Sequence, residues 1–396
     1  MNPELMLWAR ETAGLTLEQA ASALGLPSTV RLEKIEGGDE LPSRPLLLKM
    51  SKQYRRSLLT FYLSAPPKRG DRGQDFRTLP PDRATSDDAL LDALVRDVKG
   101  RQNMVRSIVK EEEDGQALPF IGSRTMKDSV PGVLASIAEV LRIKVEDYRA
   151  QKTAEEAFAY LREKAESVGI FVLLIGNLGT HHSAISVESF RGFAIADAIA
   201  PFIVINDQDA KTAWAFTLLH ELAHLWLGAT GISGASAEIE IEKFCNDVAS
   251  SFLLPRHELR ELVVTDETPA AEAIEAIARF AWPRHLSRKM VAYTLLRANR
   301  IQRNTWLKLN RAINELWLGE RERQKEAARR NESGPNYYIV RRHRLGKALL
   351  NLVDRTMGAG MLTPVKAAKV LGVKPRSVYP LLINRPRGGV DARGSA

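Results

Sequence analysis

FTLLHELAHLWLG, Phe216 to Gly228, is the stretch on which the reading of this 396-residue chain turns. His220 and His224 are four residues apart, so on a helix both imidazoles share one face and can serve one ion. Glu221 stands where a general base for a hydrolytic water is placed. With 7 His and 30 Glu in the chain, chance would supply this pattern roughly 0.01 times. Leu218, Leu219, Leu222, Ala223, Leu225, Trp226 and Leu227 make the helix apolar nearly all round, so it must be buried. Two imidazoles and a carboxylate are costly there unless paired, and a divalent metal supplies the pairing. The competing reading is a core helix whose histidines bond to other protein groups.

A catalytic site also needs a third protein ligand and an open position. The next helix, in EIEIEKFCNDVASSFLLP (Glu238 to Pro255), offers one. Glu242, Cys245, Asn246, Ala249 and Leu253 lie on one stripe. Glu242 can face the metal, and Asn246 one turn later can orient a ligand by hydrogen bonding. Glu238, one turn earlier on the same stripe, competes with Glu242, whereas Glu240 points elsewhere. Cys245 is either a soft ligand or buried packing.

These two segments resemble the ImmA/IrrE family of metallopeptidases, whose pattern is F-T-x-x-H-E-x-x-H-x-x-x-G followed by E-x-x-A-N-x-F-A-x-x-L-L-x-P. His220, Glu221, His224, Glu242, Asn246, Ala249, Leu253, Leu254 and Pro255 match, while Cys245 and Val248 depart at packing positions. The resemblance covers about residues 155 to 300. It implies Zn2+ held by His220, His224 and Glu242, Glu221 as the catalytic base, and cleavage of a repressor of the XRE type.

Upstream, IFVLLI (170 to 175), GFAIA (192 to 196) and FIVI (202 to 205) are short β-branched or aromatic runs, expected as strands of a small sheet. Strand 191 to 196 can add an extended peptide if it lies at an edge. His181 and His182, in the loop between strands, are either cleft donors or plain surface residues.

A repeat joins the two ends of the chain. LTLEQAASALGL (Leu15 to Leu26) and LTPVKAAKVLGV (Leu362 to Val373) share L-T-x-x-x-A-A-x-x-L-G-aliphatic. Thr16 and Thr363 can cap helices, Pro364 suits a first turn, and Gly ends each helix in the left-handed conformation. This is the first helix and turn of a helix-turn-helix unit. The N-terminal copy, with the following PSTVRLEKIEGGDELPSR, resembles an XRE/Cro-type domain. That resemblance implies a recognition helix at about 28 to 35, with Ser28, Thr29 and Arg31 as candidates for DNA contact. In the C-terminal copy the candidates are Lys374 and Arg376, with the Arg341-Arg342-His343-Arg344 cluster offered to phosphates; a basic cap packed on the peptidase domain is the competing reading.

The expected fold is α+β and mostly helical. Its segments are a helix-turn-helix domain at 1–64, a linker or arm at 65–85 containing GQDFR, a helical region at 86–154, and a zincin-like metallopeptidase domain at 155–300. A helical connector at 301–336 and a basic, helix-turn-helix-like region at 337–396 complete it. The formal charge is +9, which favours an anionic partner. From Arg321 onward there are 17 Lys/Arg against 5 Asp/Glu, so that charge is concentrated at the C-terminal end. One cysteine excludes an internal disulfide and suits a reducing compartment. Without a secretory signal or membrane span in the sequence, the expected place is the cytoplasm.

The leading expectation is a transcriptional regulator joining DNA reading to a zinc endopeptidase, acting on a repressor- or antitoxin-type protein or on itself. The alternative is a non-enzymatic antitoxin or repressor of a toxin–antitoxin module with a structural or vestigial metal site. Expected partners are operator DNA and a protein of repressor or toxin type, with a homodimer as one possible assembly and no membrane.

Overall fold

A computed structural model describes residues 1–67, 86–112, 115–179, 183–228, 235–330 and 336–382. Most of the expected linker, His181, His182 and residues 383–396 lie outside the described residues, as do the side chains of residues 86, 235–239, 324–325 and 327–330. Glu238 can therefore be placed on its helix by backbone alone.

Two bodies result. The first comprises Met1–Gly100 with Gly176–Arg191, the second Arg101–Ile175 with Gly192–Ala396. In the first, helices α1 (Pro3–Glu11), α2 (Leu17–Leu24), α3 (Val30–Gly37) and α4 (Arg44–Gln53) precede a 3-10 turn at Leu58–Tyr62. The helix starts follow from their caps. Asn2, Thr16 and Ser43 each accept a backbone N–H, and Gln19 returns the bond to Thr16. Met6, Ala9, Ala20, Ala21, Leu24, Leu32, Ile35 and Met50 join Tyr54 and Phe61 in one apolar core. Helix α3 starts two residues later than expected, because Pro27-Ser28 continues the turn and Thr29 takes the cap position. Glu36 turns inward and accepts two bonds from Arg10, at 2.8 and 3.0 Å.

Helix α5 (Ser86–Glu111) contributes residues to both bodies. The second body continues with α6 (Val130–Leu141), α7 (Val145–Arg149) and α8 (Ala154–Ser167). Strands β1 (Phe171–Leu174), β2 (Gly192–Ile195) and β3 (Phe202–Ile205) follow. The sheet order is β1-β3-β2, with β1 parallel and β2 antiparallel to β3. Every residue of β1 and β3 is buried, which is why both read as unbroken apolar runs. Strand β2 lies at an edge of this sheet.

Helix α9 (Lys211–Leu227) packs on β2 and β3 and is enclosed by α6, α8 and α10 (Ala235–Leu253). Helices α11 (Ala270–Ala281), α12 (Arg288–Arg297) and α13 (Arg303–Arg330) come next. The chain then forms α14 (Tyr337–Leu345), α15 (Lys347–Gly358), α16 (Pro364–Leu371) and α17 (Val378–Leu382). The result is mostly helical with one small sheet, compatible with the α+β expectation.

The C-terminal helices dock on β1 and α8 through main-chain atoms. Buried Arg162 on α8 donates to the carbonyls of His343 (2.5 Å), Arg344 (3.3 Å) and Val172, and to Glu166 (3.0 Å). Glu166 in turn accepts the N–H groups of Lys347 (2.9 Å) and Ala348 (3.2 Å), satisfying the start of α15. Gly346 between them has φ +80°, and a Cβ there would overlap both Arg162 and Glu166. Three of the four basic residues offered to phosphates are engaged internally. Arg341 donates to the Gly372 carbonyl (2.8 Å), Arg342 to those of Leu381 (2.9 Å) and Pro380 (2.6 Å), and Arg344 pairs with Asp207 (2.6 Å). No helix among the described residues is long and apolar enough to cross a membrane.

Candidate metal centre

Helix α9 begins after Ala210 and ends at Gly228, which has φ +59°. Its last carbonyls are taken by a neighbouring turn: Gly122 N–H donates to Leu225 and Arg124 N–H to Trp226, at 2.9 and 3.0 Å. A Cβ on Gly228 would lie 2.8 Å from the Gly122 Cα, so the close approach requires glycine. Trp226 stacks on Phe120 with centroids 4.6 Å apart, and its indole N–H donates to Ser136. These contacts fix the end of the helix that carries both histidines.

The two Nε2 atoms of His220 and His224 are 3.0 Å apart. From α10, Glu242 places Oε2 3.4 Å from the His220 Nε2 and Oε1 3.3 Å from the His224 Nε2. Both rings are buried, and Glu242 is one-quarter exposed. Burial pushes the Glu242 carboxyl up, but hydrogen bonds and charge attraction from the two histidines hold it well below the usual carboxylate range.

The triangle can be compared with what an ion requires. Ligand atoms about 2.0–2.1 Å from a tetrahedral ion lie roughly 3.3–3.4 Å from one another. The two nitrogens are 3.0 Å apart and lie 3.4 and 3.3 Å from the two different oxygens of the Glu242 carboxylate, and with one ligand atom taken from each residue all three lie within 4.8 Å of one another. The donor set fits a zinc-type ion with one position left open.

Glu221, the residue after His220 on the same helix, is also buried and is not one of the three residues of the cluster. Its Oε1 lies against Gly192, the first residue of β2: a Cβ there would be 2.8 Å from Oε1 and 2.5 Å from Thr217 Cγ2. The structure thus brings together His220, His224 and Glu242. Glu240 is exposed and pairs with Lys243 (2.7 Å), and Cys245 is buried in the apolar core. Asn246 is half-buried, one turn beyond Glu242, and its carbonyl accepts from Ser250 (2.6 Å).

The DNA-contact candidates all lie away from this centre in sequence. Ser28, Arg31, Lys374 and Arg376 are exposed and Thr29 is half-buried; Arg31 pairs with Glu40 at 2.8 Å. Sequence reasoning missed Gly192 and the Arg162–Glu166 pair. The glycine opening RGFAIA and the four-residue spacing of Arg162 and Glu166 were the available signals.

Residues 166–296, about a third of the chain, match the model of a metallopeptidase family, Peptidase_M78, described as the IrrE N-terminal-like domain. No match was found among curated proteins or among solved structures.

Proposed function

We propose that this protein is a zinc-dependent endopeptidase joined to DNA-binding helical modules, a regulator that cuts a repressor- or antitoxin-type protein. The observation that carries the reading is the clustering of His220, His224 and Glu242, with their ligand atoms within 4.8 Å of one another, on a helix that also buries Glu221. His220, His224 and Glu242 would hold the ion, and Asn246 would steady a ligand from behind. When bound, zinc supplies Lewis acidity toward the scissile carbonyl and makes water a nucleophile near neutral pH.

The chain's own groups supply the rest. Glu221 takes a proton from the attacking water and delivers it to the leaving amine. Gly192 keeps the space beside the Glu221 carboxylate free of side chain. Edge strand β2 can align an extended peptide by main-chain hydrogen bonds. A structural zinc needs no base, so the placement of Glu221 favours chemistry over a vestigial site.

The test compares wild type with Glu221→Gln, both loaded with zinc. Each is incubated with purified repressor-type DNA-binding proteins and alone, and fragments are resolved by mass. Cleavage by wild type only is expected. Equal absence of fragments, with zinc bound and DNA binding intact, would favour the non-enzymatic regulator.

A further inference from the structure

The sequence repeat is also a repeat of structure. Thr16 and Thr363 accept the N–H three residues on, from Gln19 (3.3 Å) and Lys366 (3.4 Å). Ala20, Ala21 and Leu24 are buried, and so are Ala367, Ala368 and Leu371 at the matching positions. Gly25 and Gly372 both turn left-handed, with φ of 72° and 59°. Leu32 and Ile35 then fill the first core. Val378 and Leu381 do so in the second, after a turn one residue shorter.

What the two copies show to solvent differs. In the N-terminal copy Glu18 and Glu33 are exposed; of its two exposed basic residues Arg31 is paired with Glu40, and Lys34 directly follows Glu33. In the C-terminal copy Lys366 and Lys369 lie one turn apart on α16, and Lys374 and Arg376 follow in the turn and the 3-10 segment before α17. All four are exposed and form no ion pair among the described residues. No acidic residue occurs from Leu362 to Leu382. The turn and the start of the second helix are where a helix-turn-helix meets the phosphate backbone.

We infer that the C-terminal copy, rather than the N-terminal one, supplies the charge that docks this protein on duplex DNA. The inference rests on the DNA-binding half of the proposed function and is independent of the peptidase half. Four phosphate contacts predict a log–log salt slope of which about 3.6 units belong to these residues.

The test uses the full-length protein and a fluorescein-labelled duplex of about 30 mixed-sequence base pairs, titrated by anisotropy at roughly 50 to 200 mM salt. In K366Q/K369Q/K374Q/R376Q the slope should fall by about 3.6, with binding at the lowest salt weakened at least about tenfold. S28A/T29A/R31Q should keep the wild-type slope within about one unit. K366R/K369R/K374R, which keeps the charge, should bind like wild type; loss of binding there, with an unchanged melting curve, would overturn docking by charge. If the glutamine variant keeps the wild-type slope, or the N-terminal variant loses it, the assignment is wrong while DNA binding stands. If wild type binds no duplex at the lowest salt, both fall. E221Q should bind duplex normally, so failure of cleavage does not touch this result.

Discussion

Replacing Gly192 with alanine should strike the second body twice, once in packing and once in chemistry. The added Cβ would lie 2.5 Å from Thr217 Cγ2, 2.8 Å from Glu221 Oε1 and 3.1 Å from the Val204 carbonyl. Strand β2 cannot simply retreat, because Gly192 pairs with Ile205 of the central strand. Helix α9 cannot retreat either, since α6, α8 and α10 enclose it. Overpacking of this kind costs about 1–3 kcal/mol, which lowers the melting temperature by roughly 2–12 °C for a body of this size. Tryptophan fluorescence of the full chain, with Trp214 and Trp226 both on α9, follows the transition. Thr217→Ser removes the closest clashing atom, so the double variant should regain much of the loss, measured against Thr217→Ser alone. Glu221 meets the new methyl with the tip of a flexible side chain and escapes by rotating away, so peptide cleavage should stay impaired in the double variant. A Gly192→Ala protein that melts within a degree of wild type, or a double variant that regains cleavage as fully as stability, refutes the close-approach reasoning.

Glu242→Gln should weaken zinc binding well beyond the roughly 10–100-fold typical of an outer partner, as read by competition with a chromophoric chelator; wild-type affinity would remove Glu242 from the ligand set. Arg162→Ala strips the partner from buried Glu166 and should cost about 3–5 kcal/mol in urea denaturation, with faster proteolysis near residue 346; an unmoved midpoint would contradict the anchoring role. Burial raises the Glu258 carboxyl, but the bonds from Arg284 and Arg149 lower it more, so its folded value is below the ordinary one. Its stabilisation is therefore complete above about pH 4.3 and lost as pH falls through the folded value. Melting temperature should thus drop more steeply below about pH 4.3 in wild type than in Glu258→Gln, and parallel curves would dismiss that pair as a source of acid sensitivity.

Features set by local spacing were legible in the chain. His220 and His224 share a face because a helix repeats every 3.6 residues, and the strands announced themselves as short apolar runs between breakers. The caps at Thr16 and Thr363 and the turns at Gly25 and Gly372 are equally local. What stayed hidden depends on partners distant in sequence. Arg162 is buried against the carbonyl of His343, which lies 181 residues further along the chain. The Arg341–Arg344 quartet reads as a phosphate clamp because composition counts charges without seeing the carbonyls that occupy Arg341 and Arg342 or the Asp207 carboxylate that pairs with Arg344. The carboxylate of Glu36 likewise finds its partner, Arg10, 26 residues away in the chain. The glycine that opens RGFAIA was visible, but its partner was not, since only the fold brings Gly192 against Glu221.

The grip of Arg162 and Glu166 on the main chain around Gly346 makes residues 337–382 something other than a detachable appendage. A gene shortened before Tyr337 would strand a guanidinium and a carboxylate at a surface still lined by the apolar flank of β1. Such a fragment would keep His220, His224 and Glu242 and still come out of the cell insoluble.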